Sequence, residues 1–140
     1  MSVHIEQEWP GIRAAALGHG VDPFLVLAIR LQENGEPGGD WGEFGLPADR
    51  YPDYTTQLAG CCKTVRSALV EYDGNPYTLT ITSAGYRRVV PKAAFLTALR
   101  DRYAPLRAAN DPHGVNANWF PGVMKFYSEH AVQNLGKLPL

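Results

Sequence analysis

Apolar residues along this chain recur mostly at intervals of three and four, the spacing that gathers them on one face of an α-helix. Trp9, Ile12, Ala16 and Leu17 mark a first such stretch over Glu6–Leu17, closed by Gly18 and Gly20. Asp22-Pro23 is a strong helix start, because the Asp oxygen accepts from first-turn amides and proline needs no donor at the first helical position. Phe24, Leu25, Leu27, Ala28 and Leu31 continue this second helix to Asn34-Gly35. It is apolar on most faces and is predicted at the centre of the domain. A third helix, from about Thr55 to Tyr72, carries Leu58, Cys61 or Cys62, Val65, Leu69 and Tyr72. Alternation of Tyr77, Leu79 and Ile81 with threonines marks a short strand or extended segment. Val90-Pro91 opens a fourth helix through Phe95, Leu96, Leu99 and Tyr103, stopped at Pro105, and Asn116 or Asn118 caps a fifth with Trp119, Val123, Met124 and Tyr127.

Between the second and third helices the helical period breaks. Glu36 to Arg50 holds six glycines and prolines among fifteen residues, with four acids, and reads as an elaborate loop or small β-flap. A loop of this length within a compact domain tends to be functional. The predicted architecture is mostly α, about five helices with a Gly-rich flap between helices two and three. At 140 residues, one domain spanning 1–140 is expected.

Composition narrows the function classes. Thirteen Lys+Arg against fourteen Asp+Glu give a net charge of -1, and 45% hydrophobic with 19% charged residues is a globular balance. No nucleic-acid partner is expected, since neutralising several phosphates takes a clustered basic excess and Arg87, Arg88 and Lys92 are too few. The longest purely apolar run, Phe24 to Ile29, falls far short of the ~20 residues that span a bilayer, so no membrane partner is expected. Met1 to Pro10 carries Glu6 and Glu8 rather than a basic region and an apolar stretch. The expectation is synthesis in the cytoplasm without a signal peptide. The adjacent Cys61 and Cys62 would form only a strained, loop-less disulfide, so both are expected reduced, one in the core and one nearer the surface. No zinc-like spacing is present and no cofactor is expected; Asp111-Pro112-His113 reads as a turn.

The most informative position is Glu33. It ends the apolar second helix just before the flap, so a rigid element can project it into the cleft that the flap borders. Partial desolvation and the negative end of the helix dipole both oppose ionisation there and raise a carboxyl's pKa. That is what a general acid for glycosidic bond cleavage requires. In the flap, Asp40 and Glu43 are the nearest candidate second acids, ahead of Glu36 and Asp49, and Trp41 and Phe44 are candidates to stack on sugar faces, with a hydrophobic plug under the loop as the other role open to them. Tyr51, Tyr54 and Tyr86 are candidate cleft hydroxyls. A cysteine nucleophile would need a histidine partner, and His4, His19, His113 and His130 stand in unrelated settings.

The run Gly20-Val21-Asp22-Pro23-Phe24-Leu25-Val26-Leu27-Ala28-Ile29-Arg30, followed by Glu33-Asn34, resembles the opening of soluble lytic transglycosylase and goose-type lysozyme domains, where a "GVDPxLLLAIxxxES" helix ends in the catalytic glutamate. Gly42 to Leu46 is similar to the family's "GAxGLMQ" flap. Gln57 to Gly74 resembles its next helix, and Asn116 to Tyr127 its closing helix. Pro47 stands where Met-Gln is usual, and Thr82 stands where the "AYNAG" tyrosine is usual. Tyr103 to Asn118 has no counterpart, similar to divergent lysozyme-like proteins of phages and prophages.

The resemblance implies a lysozyme-like fold and a muralytic glycosidase, a lytic transglycosylase or lysozyme acting on the β-1,4 bond between N-acetylmuramic acid and N-acetylglucosamine. Glu33 would be its general acid. It further implies substrate contacts from Ser83 and Asn118, with Asp40, Trp41, Glu43, Phe44 and Tyr86 beside the same cleft. Peptidoglycan glycan strands, and other virion proteins, are the partners implied. Holin release, as for an endolysin, or carriage in a bacteriophage virion would bring the protein to the cell wall. The alternative is a catalytically inactive lysozyme-like virion structural or glycan-binding module; a helical adaptor with no glycan role is the third reading.

Overall fold

The computed structural model describes residues 5–34, 41–81, 87–103 and 118–135. Among them five helices and one hairpin follow in the order α1 (Ile5–Gly18), α2 (Pro23–Glu33), α3 (Tyr54–Glu71), β1 (Tyr77–Ile81), β2 (Arg87–Pro91), α4 (Ala93–Tyr103) and α5 (Trp119–Leu135). The protein is mostly α, as the periodicity predicts. Helices α1 and α3 begin and end within a residue of the predicted bounds.

Helix α2 is the central element. Leu25, Val26, Leu27, Ala28 and Ile29 are all buried, because α1 and α5 cover it from different sides and α3 adds to the enclosure. Its start is over-determined: one Asp22 carboxylate oxygen accepts the Phe24 amide at 2.9 Å, while the other accepts the hydroxyls of Tyr77 at 2.8 Å and Tyr127 at 2.7 Å. A single capping residue thus ties α2 to β1 and to α5. Near the other end of α2, Gly122 of α5 packs onto Gln32 so closely that a Cβ there would collide with the Gln32 amide. That close approach brings the start of α5 beside the end of α2.

The one element the periodicity misassigns is the segment around Val90-Pro91. It is a strand, not a helix opening: β2 pairs antiparallel with β1 from Tyr77↔Pro91 to Ile81↔Arg87. The β-branched Val89 and Val90 suit an extended chain, and the proline falls at the strand's last residue, where its missing donor disturbs least. Lys92 N–H then donates to Pro76 O at 2.8 Å before α4 begins at Ala93. Pro105 and Asn116 lie outside the described residues.

A buried charge knot joins the first half of the chain. Arg30, 2% exposed, pairs through two nitrogens with Glu8 of α1 at 2.8 and 3.3 Å and donates to Glu43 O of the flap at 3.1 Å. Tyr54 of α3 donates its hydroxyl to the same Glu8 at 2.8 Å. A guanidinium is removed from water here only because carboxylate and carbonyl replace its hydration. Cys61 and Cys62 are both free and both buried, so the expected surface cysteine is corrected. Helix α3 packs against α1, α2 and α4, so two adjacent positions on it can both face the interior.

Candidate active site

Glu33 is the last residue of α2. Asn34 adopts the left-handed conformation, φ 47°, and returns its N–H to Arg30 O, which ends the helix. The Glu33 side chain therefore leaves a helix end whose preceding turns are fixed in the core. Burial pushes its carboxyl from 4.5 up to about 7, and the Trp119 indole, which favours the charged form, only partly offsets this. The carbonyl end of α2 acts in the same direction as burial.

The flap and helices α3, α4 and α5 all contribute to the surroundings of the carboxyl. From the flap, Gly45 sits against it at φ +76°, a conformation glycine adopts freely, and any Cβ at this position would collide with Glu33 Oε2. From α4 and α5 come Tyr103 and Trp119, whose rings stack with centroids 5.8 Å apart and planes 24° apart. The Tyr103 hydroxyl and the Trp119 Nε1 are both buried and close no hydrogen bond of normal geometry among the described residues. From α3, Cys61 lies beside the Tyr103 hydroxyl, and burial raises its thiol far above the usual range, which makes it inert as a nucleophile. No ion pair to Glu33 forms among the described residues.

The flap is held by Gln57 of α3. This fully buried side chain accepts the Phe44 and Leu46 amides at 3.1 and 3.2 Å and donates to the Leu46 and Tyr51 carbonyls at 2.9 and 2.8 Å. Its four contacts nearly exhaust the capacity of one primary amide. Gly42 lies flush against it, leaving no room for a side chain. The same staple sets Gly45, between Phe44 and Leu46, over Glu33.

The predicted site residues separate. Trp41 is 49% exposed and bridges antiparallel to Pro47, so its indole is available at the flap surface. Phe44 is corrected: it is fully buried, with the Arg30 guanidinium 5.8 Å from its ring centroid and Tyr54 edge-on at 5.5 Å, and it cannot stack on a sugar. It is the plug that anchors the loop. Glu43 is nearly buried, its backbone carbonyl takes a hydrogen bond from Arg30, and its charge helps burial and Glu8 raise the Tyr54 hydroxyl. Tyr54 accordingly belongs to the charge knot rather than to a cleft. Asn118 is exposed, one residue before α5. Asp40, Ser83, Tyr86 and Thr82 lie outside the described residues, as do Glu36, His4, Asp111 and His113. Among the described residues no three His, Cys, Asp or Glu side chains gather as metal ligands would, and no helix is long and apolar enough to cross a membrane.

Tyr103, Trp119 and Gln57 carry the site's architecture and were read from sequence only as helix positions. Tyr103 and Trp119 fit an apolar stripe by spacing, and only their hydroxyl and indole N–H hint at more. No family model, curated protein or solved structure matches the chain.

Proposed function

We propose that this chain is a lysozyme-like, peptidoglycan-cleaving enzyme in which Glu33 protonates the glycosidic oxygen of the β-1,4 bond between N-acetylmuramic acid and N-acetylglucosamine. One observation carries the reading: a carboxyl at the end of a buried helix, against a Gly-rich flap, with a pKa raised to about 7 and no cation paired to it among the described residues. Such a group still holds its proton in part of the population at neutral pH, which a general acid must do. Structural glutamates in ion pairs shift the other way.

A two-carboxylate hydrolase needs a partner about 5 Å away for retention or roughly 6.5–9.5 Å away for inversion. Among the described residues Glu43 bears on Tyr54. The course proposed here is the one that needs Glu33 alone. Glu33 gives its proton to the leaving oxygen as the C1–O4 bond breaks. The resulting carboxylate takes the proton of the muramyl C6 hydroxyl as that oxygen bonds to C1, closing a 1,6-anhydro ring and restoring the acid. The substrate is the glycan strand, reached by a phage-type route, through a holin or on a virion. The inactive virion or glycan-binding module is the second reading, favoured by the exposure of only Trp41 of the two flap aromatics.

Turbidity loss of purified cell walls tests this directly. Wild type is expected to clear them and Glu33→Gln, folded, to leave them intact; equal clearing by both would overturn Glu33 as the acid.

A further inference from the structure

Two buried donors beside Glu33 close no well-formed hydrogen bond among the described residues: the Trp119 indole bears on the Glu33 carboxyl and the Tyr103 hydroxyl on the Cys61 sulfur, a weak acceptor. Trp119 is 2% exposed, and its Nε1 and the Tyr103 hydroxyl are buried atoms that close no hydrogen bond of normal geometry among the described residues. An unsatisfied buried donor costs roughly as much as a hydrogen bond contributes, so two in one stacked pair need a reason. Their common neighbour is the Glu33 carboxyl: the indole favours its charged form, and the carboxyl in turn acts on the phenol. From α3, Cys61 bears on the same corner, and burial raises its thiol, so it stays neutral beside the carboxyl. The flap contributes Gly45, which has no side chain to compete. The corner therefore holds one carboxyl and two donors whose present contacts are weak.

We propose that Tyr103 and Trp119 are positioning residues that receive the Glu33 carboxylate as it gives up its proton. While Glu33 is protonated, the Trp119 indole and the Tyr103 hydroxyl are held only by weak contacts. Once the proton has left for the glycosidic oxygen, the Tyr103 O–H and the Trp119 Nε1–H close onto the carboxylate oxygens, and a charge-assisted bond is about twice as strong as a neutral one. The pair makes a buried acid strong enough to release its proton without an arginine or lysine that would ionise it beforehand. This assignment takes its catalytic meaning from Glu33 as the acid, but its electrostatic content stands without it.

The test separates the two. In protein labelled at the glutamate carboxyl carbon, the Glu33 resonance is the one missing from Glu33→Gln, and its titration midpoint is read by NMR in wild type, Tyr103→Phe and Trp119→Phe. The expected result is an upward move of the midpoint in each variant by at least about half a pH unit, a threefold fall in ionisation constant. The alkaline limb of wall clearing should move upward with it. Tyr103→Phe keeps the ring and the stack, so it carries the test if Trp119→Phe does not fold. An unchanged or lowered midpoint in folded Tyr103→Phe overturns the proposal. A raised midpoint in a protein that clears no wall supports the donor pair and overturns the enzyme reading alone.

Discussion

Gly45 of the flap lies directly against the Glu33 carboxyl at the end of α2, with no space between them for a methyl group. The contact ties the placement of the candidate acid to a flap glycine that follows it in the chain, beside the core residue Phe44. It also makes the flap's conformation part of the acid's environment, because the burial that raises Glu33 is supplied partly by this backbone.

Gly45→Ala is expected to be costly in two ways. The positive φ disfavours any L-residue by about 1–2 kcal/mol, and the added methyl displaces the carboxyl. Stability should fall by at least that amount in urea titration, and wall clearing should fall by more than tenfold. A variant with wild-type activity would show that the contact is incidental.

Gln57→Leu removes the flap's staple. Two amides and two carbonyls lose their buried partners, at a cost of about 2–4 kcal/mol. Hydrogen exchange at the Phe44 and Leu46 amides should accelerate well beyond the rest of the chain. Uniform exchange across the domain would contradict a local role.

The Glu33 titration also predicts a stability profile. The folded chain binds this proton at about 7 and the unfolded chain near 4.5, so between those values the folded state holds the extra proton and stability falls as pH rises. The full loss, reached above pH 7, is about 3 kcal/mol. Glu33→Gln should therefore be more stable than wild type at pH 8 and nearly equal to it at pH 4. Thermal melting at the two pH values checks both the sign and the residue.

For the charge knot, Glu8→Ala should cost about 3 kcal/mol because it takes the carboxylate from a guanidinium that is 2% exposed. Pairing it with Arg30→Met should recover part of the loss, since the buried charge leaves with its partner. A double variant weaker than the sum of both single variants would contradict this account of the knot.

What was legible in the chain was its regular part. The Asp22-Pro23 start, the Asn34 stop and the three-and-four spacing place α1, α2 and α3, because caps and stripes are local signals. The β2 strand was hidden, since Val89-Val90-Pro91 is too short to show a period and reads equally as a helix entry. Glu33 stood out through its position after an apolar run. Its surroundings did not: Tyr103 and Trp119 lie 70 and more residues away, and their spacing marks them as core. Phe44 could be a platform or a plug until the buried Arg30, brought in from α2, settled which side of the flap it faces. Long-range partners of this kind leave no local trace.

The most direct measurement is mass analysis of the soluble fragments released from purified peptidoglycan by wild type and by folded Glu33→Gln. The account predicts muramyl fragments with 1,6-anhydro ends from wild type and none from Glu33→Gln. Reducing ends alone would contradict the single-carboxyl course, and release of the same fragments by Glu33→Gln would contradict Glu33 as the acid.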